Sequence, residues 1–304
     1  MAARPRLAVT LGDPRGIGPE VVARALATPL DADITLLGAD DQMADLSGVR
    51  KVGVGVWGRG KGEEGLSPSL AATAGRLAGV AVEKAVELAR LGDVDAIVTG
   101  PVHKHALHLA GYRYPGLTEF LSHLAGHADV AMMLAAGQLR VVLVTTHLPL
   151  RDVPDQVTTA RVVQVGRITT AALTRWWGIA RPRLAVCALN PHAGESGLFG
   201  TEDAEVLRPA AEALGATGPL PADTVFVRAL RGEFDAVLAP YHDVGMTAIK
   251  VAGFGRGVNV TLGLPFPRTA PDHGTAFDIA GKGVADPGSM RAALEMAVEM
   301  AGRK

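Results

Sequence analysis

The chain has little cysteine, few aromatic residues and no long apolar run, and each shortage excludes a class of protein. Its single cysteine, Cys187, rules out an intramolecular disulfide framework and suits a reducing compartment. Cys187 lies in the apolar run LAVCAL with no basic residue beside it. We therefore expect a buried, inert thiol and not a nucleophile.

The chain also lacks an excess of either charge. It carries 30 basic and 31 acidic residues, for a net charge of −1, so nothing indicates a nucleic-acid or membrane surface. No apolar run approaches the roughly 20 residues that a membrane-spanning helix needs, and no signal peptide opens the sequence. These absences predict a soluble, cytoplasmic protein that binds neither nucleic acid nor membranes.

The residues that are present describe the core of an α/β enzyme. Hydrophobic residues make up 48% of the 304 residues, aromatic residues only 4%, and the 37 glycines show no period. A chain of this length favours two domains. Apolar runs typical of strands alternate with helical segments, which indicates a mostly parallel sheet and an α/β fold.

The predicted elements follow from apolar patterning and from the residues at their ends. Strands are predicted at residues 7–11, 34–37, 96–99, 130–134, 139–145, 184–188 and 236–239. Helices are predicted at residues 20–26, 69–91, 160–176, 202–214 and 290–300, with another opening at Thr118. We expect Ser67 to cap the second helix, Gly92 to end it, and Pro209 to kink or break the helix around it.

Two glycine-rich stretches resemble the sequence motifs of phosphate-binding turns. The first, GDPRGIGPE, lies between a predicted strand and a predicted helix. This stretch either binds an anion through its backbone N–H groups or is a plain βα turn without a ligand. The second, residues 53–58, reads GVGVWG and matches GxGxxG. It is followed by RGKGEEG and not by a helix, so we reject it as a dinucleotide motif; residues 58–65 are instead linker-like.

Three predicted strands are each followed by a histidine, in VVLVTTH (His147), LAVCALNPH (His192) and AVLAPYH (His242). Parallel strands bring their carboxyl ends to one edge of a sheet, where three imidazoles would form a divalent-metal site with open positions. The alternative is three separate histidines that cap strands or bond to backbone. Asp223 and Asp243 are candidate partners that orient the imidazoles, or ordinary solvated carboxylates; Asp223 is also a candidate helix N-cap.

The stretch from residue 236 to residue 283 carries further polar groups after its strand. Lys250, Asn259 and Arg268 are suited to holding an anion. The sequence HGTAFDIAGKG then places small residues around His273 and Asp278, which lets a ligand approach the backbone closely. His273 would serve there by its side chain or through its backbone alone.

In chain order the sequence contains TLGDPRGIGPE, VTGPVHK, TTHLPLRD, NPHAGE, PLPADT, YHDVG, GFGRGVNVTLGLPFPRT and DHGTAFDIAGKG. Together these motifs resemble the 4-hydroxythreonine-4-phosphate dehydrogenase (PdxA) family and cover most of the chain. The last motif also resembles the adenosine-binding loop of isocitrate and isopropylmalate dehydrogenases, whose fold the family shares. That resemblance accounts for a nicotinamide enzyme without a GxGxxG turn.

The resemblance implies an isocitrate/isopropylmalate dehydrogenase-like fold, with two α/β/α domains and a cleft between them. We expect a cofactor-binding domain at residues 1–117 plus 245–304, and a metal and dimerisation domain at residues 118–244. It also implies a homodimer with the active site at the subunit interface. The implied cofactors are NAD, with NADP less expected, and a divalent metal: zinc, or magnesium, cobalt or manganese in its place.

The resemblance assigns roles to residues of this chain. The implied metal ligands are His147, His192 and His242. The implied substrate-binding residues are Thr118, Lys250, Asn259 and Arg268. The implied cofactor-binding residues are His273, Gly274, Thr275, Ala276 and Asp278, of which Asp278 falls where related dehydrogenases bind the adenosine ribose. Lys250, Asp223 and Asp243 are the expected catalytic residues.

The implied reaction is NAD-dependent oxidation of 4-phosphooxy-L-threonine, followed by decarboxylation to 3-amino-2-oxopropyl phosphate in pyridoxal phosphate biosynthesis. One position departs from the family, which usually reads GHTE where this chain has Gly116-Leu117-Thr118-Glu119. Because of Leu117, an alternative function is considered: that of a paralogous dehydrogenase acting on another four-carbon phosphorylated acid, such as D-threonate 4-phosphate. A non-catalytic phosphometabolite-binding protein is the alternative from another class.

Overall fold

Short apolar strands alternate with helices along the chain, as the patterning predicts. The structure, a computed structural model, describes residues 3–58, 67–253 and 255–303. The strands are β1 (Arg6–Thr10), β2 (Asp33–Gly38), β3 (Arg50–Gly53), β4 (Ala96–Thr99), β5 (Ala131–Ala136), β6 (Leu139–Leu143), β7 (Leu184–Cys187), β8 (Thr217–Leu220), β9 (Ala236–Ala239), β10 (Val258–Leu262) and β11 (Arg268–Pro271). The helices are α1 (Gly18–Leu26), α2 (Pro68–Leu91), α3 (Lys104–Leu109), α4 (Leu117–Leu124), α5 (Val153–Gln156), α6 (Thr159–Trp177), α7 (Arg208–Leu214), α8 (Ala222–Leu230), α9 (His242–Gly253) and α10 (Gly288–Ala301).

The chain divides into two units. Unit 1 is made of Met1–Ala128 and Leu264–Lys304, and unit 2 is the continuous segment Asp129–Gly263. The boundaries expected after residues 117 and 244 are therefore displaced. Helix α4 belongs to unit 1 because it packs on α2. Helix α9 and strand β10 belong to unit 2 because α9 packs on β5, β6 and β9, and β10 pairs with β5.

Unit 1 contains a parallel sheet in the order β3-β2-β1-β4-β11. Strand β1 at its centre has Leu7, Ala8 and Val9 fully buried, which is the continuous apolar run expected of a strand covered on both faces. Ser67 caps α2 by accepting a hydrogen bond from the Leu70 N–H, and Gly92 ends it in the left-handed conformation. Both predicted ends of α2 are confirmed.

Unit 2 is a mixed sheet in the order β10-β5-β6-β9-β7-β8. Strand β5 runs antiparallel to both of its neighbours, β10 and β6, and β6, β9, β7 and β8 run parallel to one another. The antiparallel part arises because a tight turn at Gly137, with φ of 57°, joins β5 directly to β6. The parallel strands place their carboxyl ends, and the residues after them, at one edge of the sheet.

Two smaller expectations have outcomes in the structure, and a third lies almost wholly outside the described residues. Cys187 is fully buried, as expected, and burial raises the pKa of its thiol to about 12, which disfavours the reactive thiolate. The helix predicted at residues 202–214 is not broken at Pro209, but it changes there from a π-helical turn at Asp203–Leu207 to the α-helix α7, whose second residue is Pro209. Residues 54–58 contain no helix, and residues 59–65 of the linker-like patch lie outside the described residues.

Within the described ranges, every helix is too short or too polar to cross a lipid bilayer.

Candidate active site

In unit 2, the segments that follow β6 and β9 lie side by side. The Val144 N–H donates to the Ala239 carbonyl over 2.9 Å, and the Thr145 hydroxyl donates to the Pro240 carbonyl over 2.7 Å. These bonds extend the parallel pairing beyond the strands. They bring His147 and His242 together, with ring centroids 5.4 Å apart and the rings tilted by 44°.

His242 opens helix α9 and is oriented by its neighbour. Its Nδ1 lies 2.7 Å from a carboxylate oxygen of Asp243, so Asp243 makes the expected contact with an imidazole. This bond leaves Nε2 as the ring nitrogen available to a ligand. Both histidines line a small cavity of about 110 Å³, together with Leu148, Val153 and Tyr241.

His192 is at the same edge of the sheet but in a different setting. It is the first of several consecutive residues with positive φ inside the turn Pro191–Gly197; φ is 52° at His192 and 57° at Ser196. Asp203, which is almost fully buried, holds the start of this turn by accepting from the Leu189 and Asn190 N–H groups at 2.8 and 3.0 Å. Within the turn, His192 Nδ1 lies 3.0 Å from a Glu195 carboxylate oxygen.

The three predicted histidines are of a residue type that binds divalent metals, although the described residues of one chain do not bring all three together. Imidazole nitrogens oriented by carboxylates, as in the His242–Asp243 and His192–Glu195 pairs, are the donors that zinc prefers. Among the described residues, no group of three or more histidine, cysteine or acidic side chains is placed to hold one ion. The structure therefore brings together His147 and His242, and His192 as third ligand stays a prediction.

The other predicted residues of unit 2 lie on α8, α9 and β10. Asp223 is exposed in the first turn of α8, whose N-cap is Pro221, so Asp223 is not the helix cap. Among the residues described, it also has no imidazole within hydrogen-bonding distance. Lys250 is half-buried on α9. Asn259 on β10 has its Oδ1 atom buried without a hydrogen-bond partner in the described part of the chain, as expected of a residue that awaits a ligand.

In unit 1, Arg268 and Thr118 are the predicted substrate residues. Arg268 begins β11 and is 4% exposed, and its Nη2 donates a short hydrogen bond to the Thr99 hydroxyl at the end of β4. Burial lowers the pKa of its guanidinium to about 10, so Arg268 remains charged at neutral pH. Thr118 is buried in the first turn of α4, directly after the half-buried Leu117.

The predicted cofactor loop, residues 273–278, follows β11 and is fixed from several sides. The His273 Nδ1 lies 3.0 Å from the Gly274 carbonyl oxygen, and Ala276 has a φ of 41°. The Thr275 carbonyl accepts from the Ile17 N–H over 2.9 Å. Asp278 is exposed, as a residue that meets a ribose must be.

Backbone N–H groups of the GDPRGIGPE turn bond to other parts of the protein. The Asp13 N–H donates to the Pro101 carbonyl, the Arg15 N–H to the Asp13 carboxylate, and the Ile17 N–H to Thr275. A side chain at Gly16 would lie 2.7 Å from the Thr275 carbonyl oxygen, so this position needs glycine. The Asp13 and Ile17 amides thus hold neighbouring loops, which favours the plain βα turn over an anion site.

Sequence reasoning missed Asp13, Arg15, Glu195 and Asp203, which support the predicted residues. Asp13 and Arg15 are fully buried and form a two-pronged ion pair, with Arg15 Nε and Nη2 at 2.9 and 2.7 Å from the carboxylate. Their spacing in a turn directly after a strand was the available signal. Glu195 comes three residues after His192 in the motif NPHAGE, and this short spacing was its signal. Asp203 had no comparable signal, because only the fold brings it to the start of the His192 turn.

Comparison with known proteins identifies the family. The model of the family described as "Pyridoxal phosphate biosynthetic protein PdxA" matches residues 44–297. A 4-hydroxythreonine-4-phosphate dehydrogenase of Beijerinckia indica is 44% identical over 333 residues, covering 97% of this chain and 94% of that protein. A D-threonate 4-phosphate dehydrogenase of Salmonella typhimurium is 41% identical over 323 residues, covering 97% and 98%.

Solved structures agree. The crystal structure of a 4-hydroxythreonine-4-phosphate dehydrogenase from Klebsiella pneumoniae has a TM-score of 0.88 at 38% identity and covers 100% of this chain and 99% of that one. A β-decarboxylating dehydrogenase from Thermococcus kodakarensis has a TM-score of 0.50 at 16% identity, covering 97% and 81%, and shows the shared fold alone. The fold is thus the α/β fold of isocitrate dehydrogenase-like enzymes, and the chain belongs to the PdxA family of dehydrogenases.

Proposed function

We propose that this chain catalyses NAD-dependent oxidation of 4-phosphooxy-L-threonine, followed by decarboxylation to 3-amino-2-oxopropyl phosphate, in pyridoxal phosphate biosynthesis. The observation that carries the proposal is the pair His147 and His242, which lie side by side after two neighbouring parallel strands, with His242 oriented by Asp243. Ligands of α/β sheets bind at this edge. The names and identities of the relatives support the same reaction.

The chemistry divides into two steps. The C3 alcohol of the substrate loses a hydride to NAD and a proton to the enzyme, which leaves a ketone with the carboxylate in the β position. The bond between C1 and C2 then breaks to release carbon dioxide, and C2 takes up a proton. A divalent cation, when bound by His147, His192 and His242, supplies Lewis-acid chemistry that favours both steps.

The remaining residues bind and orient the substrate. Arg268 and Lys250 neutralise its phosphate and carboxylate, and the buried Arg268 offers a planar fork for such a group. The Asn259 amide and the Thr118 hydroxyl supply neutral hydrogen bonds. Lys250 is also the candidate proton carrier. Asp243 acts through His242, and Asp223 offers a second carboxylate on the neighbouring helix α8.

The loop of residues 273–278 is the proposed NAD site. Asp278 would accept hydrogen bonds from the ribose hydroxyls and repel a 2′-phosphate, so we expect NAD to be preferred over NADP. Measured kcat/KM values with both cofactors test this preference. A higher kcat/KM with NADP would contradict the assignment.

We further propose that the active enzyme is a homodimer with the active site at the subunit interface. Helices α8 and α9 border an apolar groove of about 560 Å³ that includes the exposed Val227, Leu230 and Val251. Tyr241 and Asp243 line both this groove and the cavity of His147 and His242. A second copy seated on the groove is thus next to the paired histidines, where its own His192 would complete the ligand set.

Leu117 supports oxidation of D-threonate 4-phosphate as a second candidate function. It precedes the buried Thr118 in the first turn of α4, where it offers no hydrogen bond to a polar substrate group. The relative named as a D-threonate 4-phosphate dehydrogenase is 41% identical. We favour 4-phosphooxy-L-threonine because the other implied substrate residues are all present.

The test is NADH absorbance with 4-phosphooxy-L-threonine, D-threonate 4-phosphate and the unphosphorylated acids. We expect turnover with the first compound, and His147→Ala and His242→Ala to lose bound metal and nearly all turnover. His123→Gln, an exposed histidine on α4, is the control and should retain both. Faster turnover of D-threonate 4-phosphate would favour the second candidate. Binding of these compounds without NADH formation would indicate a non-catalytic protein.

A further inference from the structure

We propose that Arg15 is a positioning residue for dinucleotide binding, which fixes the loop of residues 273–278 through the ring of Phe277. The inference rests on the proposed function, in which this loop binds NAD. It goes beyond that proposal because Arg15 lies in the turn between β1 and α1, outside the residues assigned to cofactor or substrate.

Arg15 is an unusual residue for a plain βα turn. Its side chain is fully buried, and its Nε and Nη2 atoms both bond to the buried Asp13 carboxylate. A guanidinium held in this way cannot reach a substrate without breaking a buried ion pair, so it is a poor candidate for direct anion binding. The guanidinium instead contacts the protein's own loop of residues 273–278.

The contact that matters is with Phe277. The Arg15 Cζ atom lies 4.7 Å from the centroid of the Phe277 ring, within the range of a cation–π interaction. His103 completes the group: its ring meets Phe277 edge-on at 5.1 Å, and its Nδ1 lies 3.3 Å from Arg15 Nη2. Phe277 is therefore held between a fixed cation and an imidazole.

This group acts on a loop whose backbone needs support. Ala276, directly before Phe277, has a φ of 41°, a conformation that non-glycine residues adopt only where the surroundings enforce it. The Ile17 N–H holds the Thr275 carbonyl on one side, and Glu20 accepts from the Gly281 N–H over 2.8 Å on the other. The Arg15–Phe277 contact is the side-chain restraint between these two backbone restraints.

The test is a double-mutant cycle measured in NAD binding. Arg15→Met alone would leave the Asp13 carboxylate buried without its partner, so the first variant combines Arg15→Met with Asp13→Asn. The second variant is Phe277→Leu. The third variant combines all three substitutions. We expect the first two variants each to raise KM for NAD, and Kd for NADH, by about 3- to 30-fold. The kcat and the KM for 4-phosphooxy-L-threonine should stay within about twofold of their original values.

Non-additivity identifies the route of action. If Arg15 acts through Phe277, the combined variant binds NADH no more weakly than either of the first two variants alone. The single substitution Phe277→Tyr keeps an aromatic ring, so its Kd for NADH should stay within about twofold of that of the unmodified protein. The control is Arg175→Met, which removes the Arg175–Trp176 contact of 4.1 Å on α6 in unit 2, and should leave Kd unchanged.

Other outcomes overturn the inference. Multiplicative effects in the combined variant would mean that Arg15 only supports Asp13 and its turn. An unchanged KM for NAD, or a rise confined to the KM of the phosphorylated substrate, would also reject it. The failure of the proposed function is distinguishable, because then the unmodified protein itself would not reduce NAD.

Discussion

The buried charge of Arg268 lowers the stability of the fold, and the proposed function assigns this charge to substrate binding. Burial lowers its pKa from 12.5 to about 10, so desolvation opposes the charged form. Desolvation lowers the free energy of unfolding by its full amount at neutral pH, where Arg268 is protonated in both the folded and the unfolded state. The loss of stability diminishes only as the pH rises from about 10 to 12.5. It is on the order of 3 kcal/mol at most.

We therefore predict that Arg268→Met raises the melting temperature of unit 1 by a few degrees and abolishes stabilisation by ligand. Methionine fills a similar volume without a charge to desolvate, but it cannot bind a phosphate. Thermal unfolding with and without 4-phosphooxy-L-threonine measures both effects. Arg291→Met is the matched control: Arg291 bonds the carbonyls of Ala25, Thr28 and Pro29, so its loss should lower the melting temperature. A lower melting temperature for Arg268→Met, with the ligand shift retained, would contradict the argument.

The contact between α2 and α3 sets the position of the GPVHK segment that precedes α3. Gly75 on α2 lies so close to α3 that a Cβ atom there would be 2.0 Å from the Ala106 carbonyl oxygen. His103, which contacts Arg15 and Phe277, comes immediately before α3. A displacement of α3 is therefore passed to the loops around the proposed cofactor site.

We predict that Gly75→Ala destabilises the protein by about 1–3 kcal/mol, because overpacking against backbone outweighs a gain in helix propensity of about 1 kcal/mol. It should also weaken NADH binding. Gly166→Ala on α6 is the control: the added methyl group meets the end of the flexible Leu214 side chain at 2.3 Å, so a smaller loss of stability is expected, with NADH binding unchanged. Chemical denaturation and NADH titration measure the two quantities. Equal effects of both substitutions on NADH binding would refute the link.

Elements with a strong local pattern could be predicted from the sequence, and those built by distant contacts could not. Strands β1, β4, β7 and β9 are continuous apolar runs, and their parallel pairing follows from the helices between them. Strands β3, β8 and β11 contain glycine or proline, as in TGPL and RTAP, and the apolar residues of β10 (VNVTL) are interrupted by polar ones, so the local signal is weak. The parallel strands do place the histidines at one edge, but the left-handed turn at His192 depends on Asp203, which sequence spacing cannot indicate.

The apolar groove of α8 and α9 leads to a prediction about assembly. Val251 is 83% exposed on this groove, so Val251→Lys should leave the fold intact while placing a charge in the proposed interface. We expect it to convert a dimer to a monomer in light scattering, with loss of turnover. Leu91→Lys, which changes a similarly exposed leucine at the end of α2 in unit 1, should change neither. A Val251→Lys variant that remains dimeric would place the interface elsewhere.

The pairing of β11 with β4 has a consequence for synthesis on the ribosome. Ile97 meets Arg268 in this pair, so the parallel sheet of unit 1 gains its last strand only after all of unit 2 has been made. A nascent chain that has emerged only to residue 263 exposes the edge of β4, an apolar strand that is wholly buried in the finished protein. Such an edge is a template for pairing with other chains. Interrupted translation in this stretch therefore yields an aggregation-prone product and not a partly active enzyme.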